Sequence, residues 1–138
     1  MFGSSRTSSD SLPEAVAPAE PLARYLTQRG HFSRESSRVK AGAFLPPSDG
    51  KTSVFRTLGL SDEGIWRIGD GYVAGPSGRP LLGRAEIKAQ DASDVGLGIE
   101  PDSKPPRHAN LVGWPNEKHE RMSMAQELAA RASLVVRG

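Results

Sequence analysis

The sequence has 138 residues, which is enough for one hydrophobic core and too few for two comfortable domains. It contains no cysteine, which excludes disulfides, thiolate zinc sites and thiol nucleophiles, and its many glycines and prolines favour a small core with long connections. The formal net charge is +2, but bases concentrate in residues 21–59, with seven bases and two acids, and in residues 104–138, with six bases and three acids.

The start of the chain has the composition of an unstructured tail. Residues 1–19 are rich in Ser, Pro, Ala and acidic residues and show neither a helical nor a strand period, so we expect them to be disordered. Residues 20–138 are expected to form a single domain. No apolar run approaches the length of a signal peptide or a membrane span, so the sequence predicts a cytoplasmic protein with no membrane partner.

Three elements are predicted between this tail and residue 60. A short helix begins at Pro21, because proline suits a first helical turn and the apolar residues that follow share one face, and it ends at Gly30. Two apolar, strand-compatible runs follow at residues 38–45 and 52–58. The segment between them contains prolines and an Asp-Gly pair, which favour a turn, so the two runs are predicted to pair antiparallel.

The middle of the chain predicts a second helix, a strand and a long loop. Ser61 is the predicted N-cap, two acidic residues follow it in the first helical turn, and Gly69 and Gly71 are expected to end the helix. Polar and apolar residues alternate over residues 81–88, the pattern of a half-buried strand. Residues 90–106 are expected to be a loop with at most a short extended piece at its middle, and loops this long tend to be functional or mobile.

The last part of the chain predicts a strand, a helix and a short final strand. Residues 108–114 form the strand, and Asn116 caps a helix whose apolar residues, from Met122 to Ala132, recur at helical spacing. Residues 134–136 form the final strand. The predicted fold class is therefore α+β, with a mostly antiparallel sheet of four to five strands packed on one side by two to three helices.

The densest basic segment is RGHFSRESSRVK, residues 29–40. Its bases are separated by serines, and guanidinium groups and hydroxyls both bind phosphate oxygens, so the segment predicts an anion-binding or partner-binding loop. A second interpretation is a connection whose charges face solvent or pair with Glu35. The candidate binding residues in this segment are Arg29, Arg34, Arg38 and Lys40, with His31 between them.

Arg107 and His108 open a predicted strand, where consecutive side chains point to opposite faces, so one of the two is expected to face inward or along a cleft. His108 could simply bond a backbone carbonyl at the sheet edge. Alternatively, His31 and His108 form a two-imidazole catalytic site with Arg38 or Lys40 nearby. Such a site could transfer a proton and stabilise charge on a phosphoryl group, as metal-independent ribonucleases do with the same residue types.

Trp114 lies at the end of this strand, and its ring could lie at a cleft rim and stack on a base or another ring, so Trp114 and Arg107 are further candidate binding residues. The three histidines lack any metal-binding spacing, and no glycine segment matches a nucleotide loop, so neither a metal nor a cofactor is predicted. The segment GPSG has its second glycine one residue too early for a G-x-S-x-G elbow, so a serine hydrolase of that type is not expected.

Over residues 22–136 the chain carries the pattern HFSR…RVK…AFLPP…SVFR…GL…W…GRAEI…PPRHANLVGWP. With this pattern it resembles a small uncharacterised bacterial protein family with no assigned activity. The resemblance implies a bacterial origin, and it implies neither a fold nor a catalytic residue.

The sequence thus favours a non-enzymatic binding or accessory module, whose basic face docks an acidic partner, either a nucleic-acid backbone or a protein. The absence of a recognisable catalytic motif and the uneven charge distribution support this interpretation. The alternative is a small metal-independent, ribonuclease-like enzyme that processes phosphoesters with His31 and His108 as its acid and base. The two interpretations differ in whether these imidazoles share one site.

Overall fold

Residues 12–138 are described by the structure, a computed structural model, and residues 1–11 of the predicted tail lie outside the described residues. The strands of the described part are β1 (Pro21–Leu26), β2 (Phe32–Ser33), β3 (Arg38–Val39), β4 (Thr52–Arg56), β5 (Gly83–Lys88), β6 (Gly98–Pro101), β7 (His108–Val112) and β8 (Ser133–Val136). Its helices are α1 (Asp62–Gly69), α2 (Gly75–Ser77), α3 (Ala89–Asp94) and α4 (Lys118–Arg131), with a π-helical segment (Asp70–Ala74) between α1 and α2 and short 3-10 helices at Arg29–His31 and Ala41–Ala43. Within residues 12–138, no helix combines the length and the apolar character needed to cross a bilayer.

Six strands form one sheet in the order β6-β7-β4-β1-β5-β8, and every pair of neighbours is antiparallel. Strands β2 and β3 form a separate hairpin. The predicted α+β class and antiparallel sheet are confirmed, but the sheet has six strands instead of four to five. Strands β1 and β6 replace a predicted helix and part of a predicted loop, whereas the predicted strand at residues 38–45 does not join the sheet.

Both faces of the sheet are covered, so the prediction of helices on one side only is wrong. Helices α3 and α4 and the β2-β3 hairpin pack on one face, called here the α4 face, with a core that includes Phe44, Leu111 and Leu128. Helix α1 packs on the opposite face, called the α1 face, with a smaller core that includes Phe55 and Ile65. A sheet buried on two sides needs apolar residues at successive strand positions, and β1 supplies them.

The predicted first helix is wrong, because the residues assigned to it form the central strand β1. Leu22 and Leu26 pack into the core of the α4 face, whereas Ala23 and Tyr25 pack into the core of the α1 face. All four side chains are at most 6% exposed. A strand buried on both faces is a short continuous apolar run, and such a run has the same sequence pattern as a short helix with one apolar side.

The predicted antiparallel pair of residues 38–45 and 52–58 does not form. Strand β4 pairs with β1 on one side and with β7 on the other, so neither of its edges is open to residues 38–45. That segment instead supplies the short strand β3 and a 3-10 helix. The carbonyl of Phe44, which caps this helix, accepts a 2.8 Å hydrogen bond from the Thr52 hydroxyl. Residues 45–51 are therefore a loop that leads from the 3-10 helix to β4, and not the turn of a hairpin.

The predicted α1, β5, β7, α4 and β8 are all present, with shifted ends. Ser61 caps α1 as predicted, since its hydroxyl accepts a 3.1 Å hydrogen bond from the Gly64 amide. The helical path does not end at Gly69 or Gly71 but continues to Ser77, where Gly78 adopts a left-handed φ of 70°. The cap of α4 is Glu117, one residue after the predicted Asn116. The predicted loop 90–106 contains most of α3 and all of β6.

Gly69 marks the closest approach of α1 to the sheet. A Cβ atom at this position would lie 2.7 Å from the Tyr25 ring and 2.8 Å from Leu81 Cδ2. The Tyr25 ring has little room to move, because its hydroxyl donates a hydrogen bond to the Ile65 carbonyl. Any side chain at Gly69 therefore forces α1 away from β1.

We expect Gly69→Ala to lower the free energy of unfolding by about 1–3 kcal/mol, because overpacking outweighs the better helix propensity of alanine. Urea denaturation followed by circular dichroism measures the change. Gly71→Ala is the matched control, since a Cβ at Gly71 meets no atom within 4 Å, and it should be neutral or stabilising by up to about 1 kcal/mol. Equal effects of the two substitutions would contradict this account of the packing.

Candidate functional site

Arg107 and His108 have different environments, although they are neighbours in the chain. Arg107 is 4% exposed, and its Nη1 donates to the carbonyls of Arg56 at 2.9 Å and Leu58 at 3.0 Å. These bonds fasten the turn before β7 to the end of β4. His108 is the first residue of β7 and lies opposite Phe55 on the α1 face, with the two rings edge to face at 5.2 Å between centroids.

His108 lies between a serine hydroxyl and a carboxylate. Its Nε2 is 2.6 Å from Ser53 Oγ, and its Nδ1 is 2.6 Å from Asp102 Oδ1. An ionised carboxylate can only accept, so Nδ1 carries a hydrogen, and in the neutral imidazole Nε2 is then the atom that can accept the Ser53 hydroxyl proton. The order of groups is therefore a hydroxyl, an imidazole and a carboxylate that orients the imidazole.

The sheet register brings these three groups together. Ser53 lies directly opposite Asn110 between β4 and β7, and His108 is two residues before Asn110, so all three side chains share the α1 face. Asp102 follows the last residue of β6 and returns to the same face, where its backbone amide donates to the His108 carbonyl at 3.1 Å. The site thus rests on three adjacent strands rather than on one loop.

Asp102 is held in its ionised form. Partial burial by itself would raise the pKa of Asp102, but hydrogen bonds from His108, the Lys104 amide and Asn110 outweigh that effect and keep the pKa below its usual value. The Lys104 amide lies 3.2 Å from Oδ1 and Asn110 Nδ2 lies 3.3 Å from Oδ2. The carboxylate is therefore fixed on both oxygens, and its charge stabilises a positive charge on the imidazole.

The half-buried side chain of Arg24 lies beside the Ser53 carbonyl. Arg24 donates through Nε to the Ala43 carbonyl at 2.7 Å and through Nη1 to the Ser53 carbonyl at 3.0 Å. Burial lowers the pKa of Arg24, yet a guanidinium stays protonated in proteins. Within residues 12–138, Arg24 forms no ion pair with a carboxylate, so its positive charge is uncompensated where it meets the backbone of Ser53.

These groups open onto a cavity of about 400 Å³ on the α1 face. Phe55 forms part of its wall and stacks on Tyr72, with 6.2 Å between ring centroids and 13° between ring planes. Tyr72 is 44% exposed and lies at the rim. The residues that line the cavity are Arg24, Tyr25, Ser53, Phe55, Tyr72, Val73, Pro76, Ser77, Pro105 and His108. The cavity therefore combines one polar corner with mostly apolar walls.

The basic segment lies elsewhere. Arg38 and Lys40 line a groove of about 800 Å³ between the β2-β3 hairpin and α4, and Arg29 and Arg34 are exposed residues of the same segment outside that lining. Trp114 packs against the core of the α4 face and borders a third concavity of about 290 Å³. Among the predicted site residues, the structure thus groups Arg38 with Lys40, and it places Arg107 and Trp114 apart from them.

His31 takes no part in the Ser53–His108–Asp102 chain. Its ring lies beside Gly42, where an added Cβ would be 3.3 Å from His31 Cδ2, and His31 is not among the residues that line the 400 Å³ cavity. Ser53 and Asp102, by contrast, are functional candidates that the sequence interpretation missed. Ser53 is in a run whose pattern predicts only a strand, and the pairing of β4 with β7 is not encoded in local spacing. The segment from Asp102 to His108 did carry a signal, since an acid and a histidine flank a proline-containing turn.

The environment of His31 predicts a pH dependence of stability. Burial, and then the positive charge of Arg24, lower the pKa of His31 in the folded protein, so the imidazole is preferentially neutral there. As the pH falls, the unfolded chain binds this proton at a higher pH than the folded protein does. The contribution of neutral His31 to the free energy of unfolding is therefore complete above the unfolded pKa of about 6.5 and is lost as the pH falls below it.

We expect the free energy of unfolding to fall less between pH 7.5 and pH 5 in His31→Gln than in the unchanged protein. Urea denaturation at the two pH values measures the difference. His119→Gln is the control, because His119 is an exposed residue of α4 and its removal should leave the pH dependence in place. Identical pH dependence in His31→Gln and the unchanged chain would contradict the assignment.

Within residues 12–138, no three His, Asp or Glu side chains are grouped as metal ligands. No protein-family model, curated protein or solved structure matches the chain. The resemblance of residues 22–136 to a bacterial family stays a prediction.

Proposed function

We propose that the protein is an esterase in which Ser53 is the nucleophile, His108 the general base and Asp102 the carboxylate that orients the base. The observation that carries the proposal is the pair of 2.6 Å contacts that join Ser53 Oγ, the His108 ring and Asp102 Oδ1 at the edge of a cavity. A serine hydroxyl is a weak nucleophile unless a positioned base removes its proton. His108 is positioned to remove it.

The reaction proceeds in two steps, acylation of Ser53 and hydrolysis of the acyl-serine. Ser53 Oγ attacks the ester carbonyl carbon while its proton passes to His108 Nε2, and Asp102 stabilises the resulting imidazolium. The tetrahedral adduct then collapses, the C–O bond to the alcohol breaks, and His108 returns the proton to the departing oxygen. Water repeats the sequence on the acyl-serine, so the acid is released and the Ser53 hydroxyl is restored.

Arg24 supplies the positive charge for the tetrahedral adduct. Its guanidinium is held by the Ala43 and Ser53 carbonyls, so it needs no rearrangement when negative charge develops on the substrate oxygen. A guanidinium has five N–H donors, and two of them are used by these carbonyls. Arg24 leaves β1 on the same side as Leu22 and Leu26, so its charge lies in the gap between β1 and β4, and from there it would stabilise an oxyanion formed at Ser53.

The walls of the cavity favour an apolar acyl or aryl group. Phe55, Tyr72 and Val73 provide flat or branched hydrocarbon surface next to Ser53, and a cavity of about 400 Å³ holds a small ligand rather than a polymer. The ribonuclease-like alternative needs a second imidazole at the reacting centre. A single histidine with a hydroxyl and a carboxylate is better matched to acyl transfer than to phosphoryl transfer.

The docking of an acidic partner, predicted from the sequence, stays a prediction. Its proposed face is smaller than the sequence suggests, because Arg107 is buried against backbone carbonyls and His108 belongs to the esterase site. The cations that remain, Arg29, Arg34, Arg38 and Lys40, belong to the segment beside α4.

Ser53→Ala should abolish esterase activity. We expect hydrolysis of p-nitrophenyl butyrate to fall by roughly a thousandfold or more, and covalent labelling by a fluorophosphonate probe to disappear, because no other hydroxyl in residues 12–138 is paired with His108. Ser77→Ala is the matched control, since Ser77 lines the same cavity but donates to the Ala74 carbonyl. Full activity and labelling of a folded Ser53→Ala protein would refute the proposal and leave the hydrogen-bonded chain a purely structural feature.

Asp102→Asn tests the role of the carboxylate. The amide cannot provide the charge, and its NH₂ group favours the tautomer in which Nε2 carries the hydrogen, so His108 can no longer accept the Ser53 proton. We expect kcat to fall by about 10²–10⁴-fold with little change in KM. Asp49→Asn, in the turn before β4, is the control and should keep full activity. Parallel changes in kcat and KM would indicate that Asp102 shapes the cavity instead of the base.

A further inference from the structure

We propose a second ligand site in the groove between the β2-β3 hairpin and α4, specific for a small molecule that carries a phosphomonoester group. The site is independent of the esterase cavity, which lies on the other face of the sheet. The residues that line the groove are Ser33, Ser36, Ser37, Arg38, Val39, Lys40, Ala41, Gln126, Ala129, Ala130 and Ala132. Its volume of about 800 Å³ lies within the usual range for pockets that hold small ligands.

The hairpin places several phosphate-binding groups on one side of the groove. Ser33 and Arg38 lie directly opposite each other between β2 and β3, while Phe32 and Val39 turn into the core. The turn that joins the strands is closed by two bonds, from the Ser36 amide to Ser33 Oγ at 3.2 Å and from the Ser37 amide to the Arg34 carbonyl at 3.3 Å. The turn thus places serine side chains and Arg38 on the same side of the groove, and hydroxyls and guanidinium groups both bind phosphate oxygens.

The positive charge of the groove is not used within the protein. Among the described residues, neither Arg38 nor Lys40 forms an ion pair, and Glu35 forms none with any base of the segment. Arginines elsewhere are mostly engaged: Arg56, Arg67, Arg84, Arg131 and Arg137 all form ion pairs. The ion pairs that a self-paired surface connection would need are therefore absent from the described part of this segment. The charges of Arg38 and Lys40 can interact with a ligand.

The electrostatic balance at the groove favours an anion. The wall formed by Ala129 and Ala130 belongs to the last turns of α4, where the helix dipole contributes about half a negative charge. Two full positive charges, on Arg38 and Lys40, oppose it. Arg131 at the end of α4 forms ion pairs with Asp94 and Glu127, so its charge is compensated within the protein.

The lining also selects a small phosphate over a nucleic-acid strand. Single-stranded nucleic acid is held by aromatic rings that stack on successive bases, and no aromatic side chain lines this groove. Small residues form the α4 wall and leave room for the part of the ligand that carries the phosphate. The chemistry therefore fits a phosphomonoester dianion with a compact organic group.

The test is a ¹⁵N-HSQC titration of the full chain with inorganic phosphate, adenosine monophosphate and a short single-stranded RNA, at two salt concentrations. We expect saturable shifts at the amides of residues 33–40 with phosphate and the mononucleotide. Arg38→Ala combined with Lys40→Ala should weaken binding by at least about tenfold. Arg34→Ala is the matched control, because it removes one charge from the same segment outside the groove, and it should change affinity less than twofold.

Three outcomes would overturn the proposal. These are the absence of saturable shifts with either phosphate compound, an equal loss of affinity in Arg34→Ala, or binding of the RNA alone. The last two would favour general polyanion docking over a built phosphate site. A parallel titration of Ser53→Ala separates the two sites, since phosphate binding at the groove should persist in a protein without esterase activity.

Discussion

Strands β1 and β4 are neighbours in the sheet, yet they share only two residue pairs, Leu22 with Arg56 and Ala23 with Phe55, before they separate. The Arg24 guanidinium fills the gap by donating to the carbonyls of Ala43 and Ser53. A buried carbonyl without a donor is costly. Arg24 therefore donates the hydrogen bond to the Ser53 carbonyl that a backbone amide of β1 would otherwise donate. The separation of the strands makes room for the cavity, and the arginine that bridges it puts a cation beside Ser53.

The other constraint is the attachment of the β6-β7 turn. The Arg107 side chain donates to the Arg56 and Leu58 carbonyls, and its own carbonyl accepts a 2.7 Å bond from the Arg56 amide. The turn between Asp102 and His108 is thereby fixed to the end of β4. The two neighbouring residues have different contacts, because Arg107 holds the backbone of the turn whereas His108 contacts Ser53. Arg107 therefore has a structural role, and His108 is the residue to which the proposed function gives a chemical role.

Local patterns predict a good part of the fold. The Ser61 cap, the alternation in β5 and the helical spacing in α4 depend on neighbours in sequence, and the structure contains all three elements. The pattern of β1 is ambiguous because burial on both faces removes the alternation that identifies a strand. Strand order is not local at all, and it decides that β4 lies between β1 and β7 rather than beside residues 38–45.

The candidate site is less predictable for the same reason. His108 can be nominated from its position at the start of a strand, but Ser53 is 55 residues away and meets it only through the β4-β7 register. A serine in a strand carries no motif, whereas the G-x-S-x-G elbow does. The missing G-x-S-x-G spacing excludes an elbow of that type, and it does not exclude a hydroxyl presented from the middle of a sheet.

The position of Ser53 in a central strand also determines how an esterase of this kind must stabilise its oxyanion. In an elbow, the backbone amide after the nucleophile is unpaired and can donate to the substrate. In β4, the amides that face β7 are taken by that strand, so fewer are left for a substrate oxygen than in an elbow. A side chain must then provide the positive charge, and Arg24 is the cation that lies beside Ser53, in the gap between β1 and β4. The same break in the sheet that admits a substrate therefore admits the group that would stabilise its transition state.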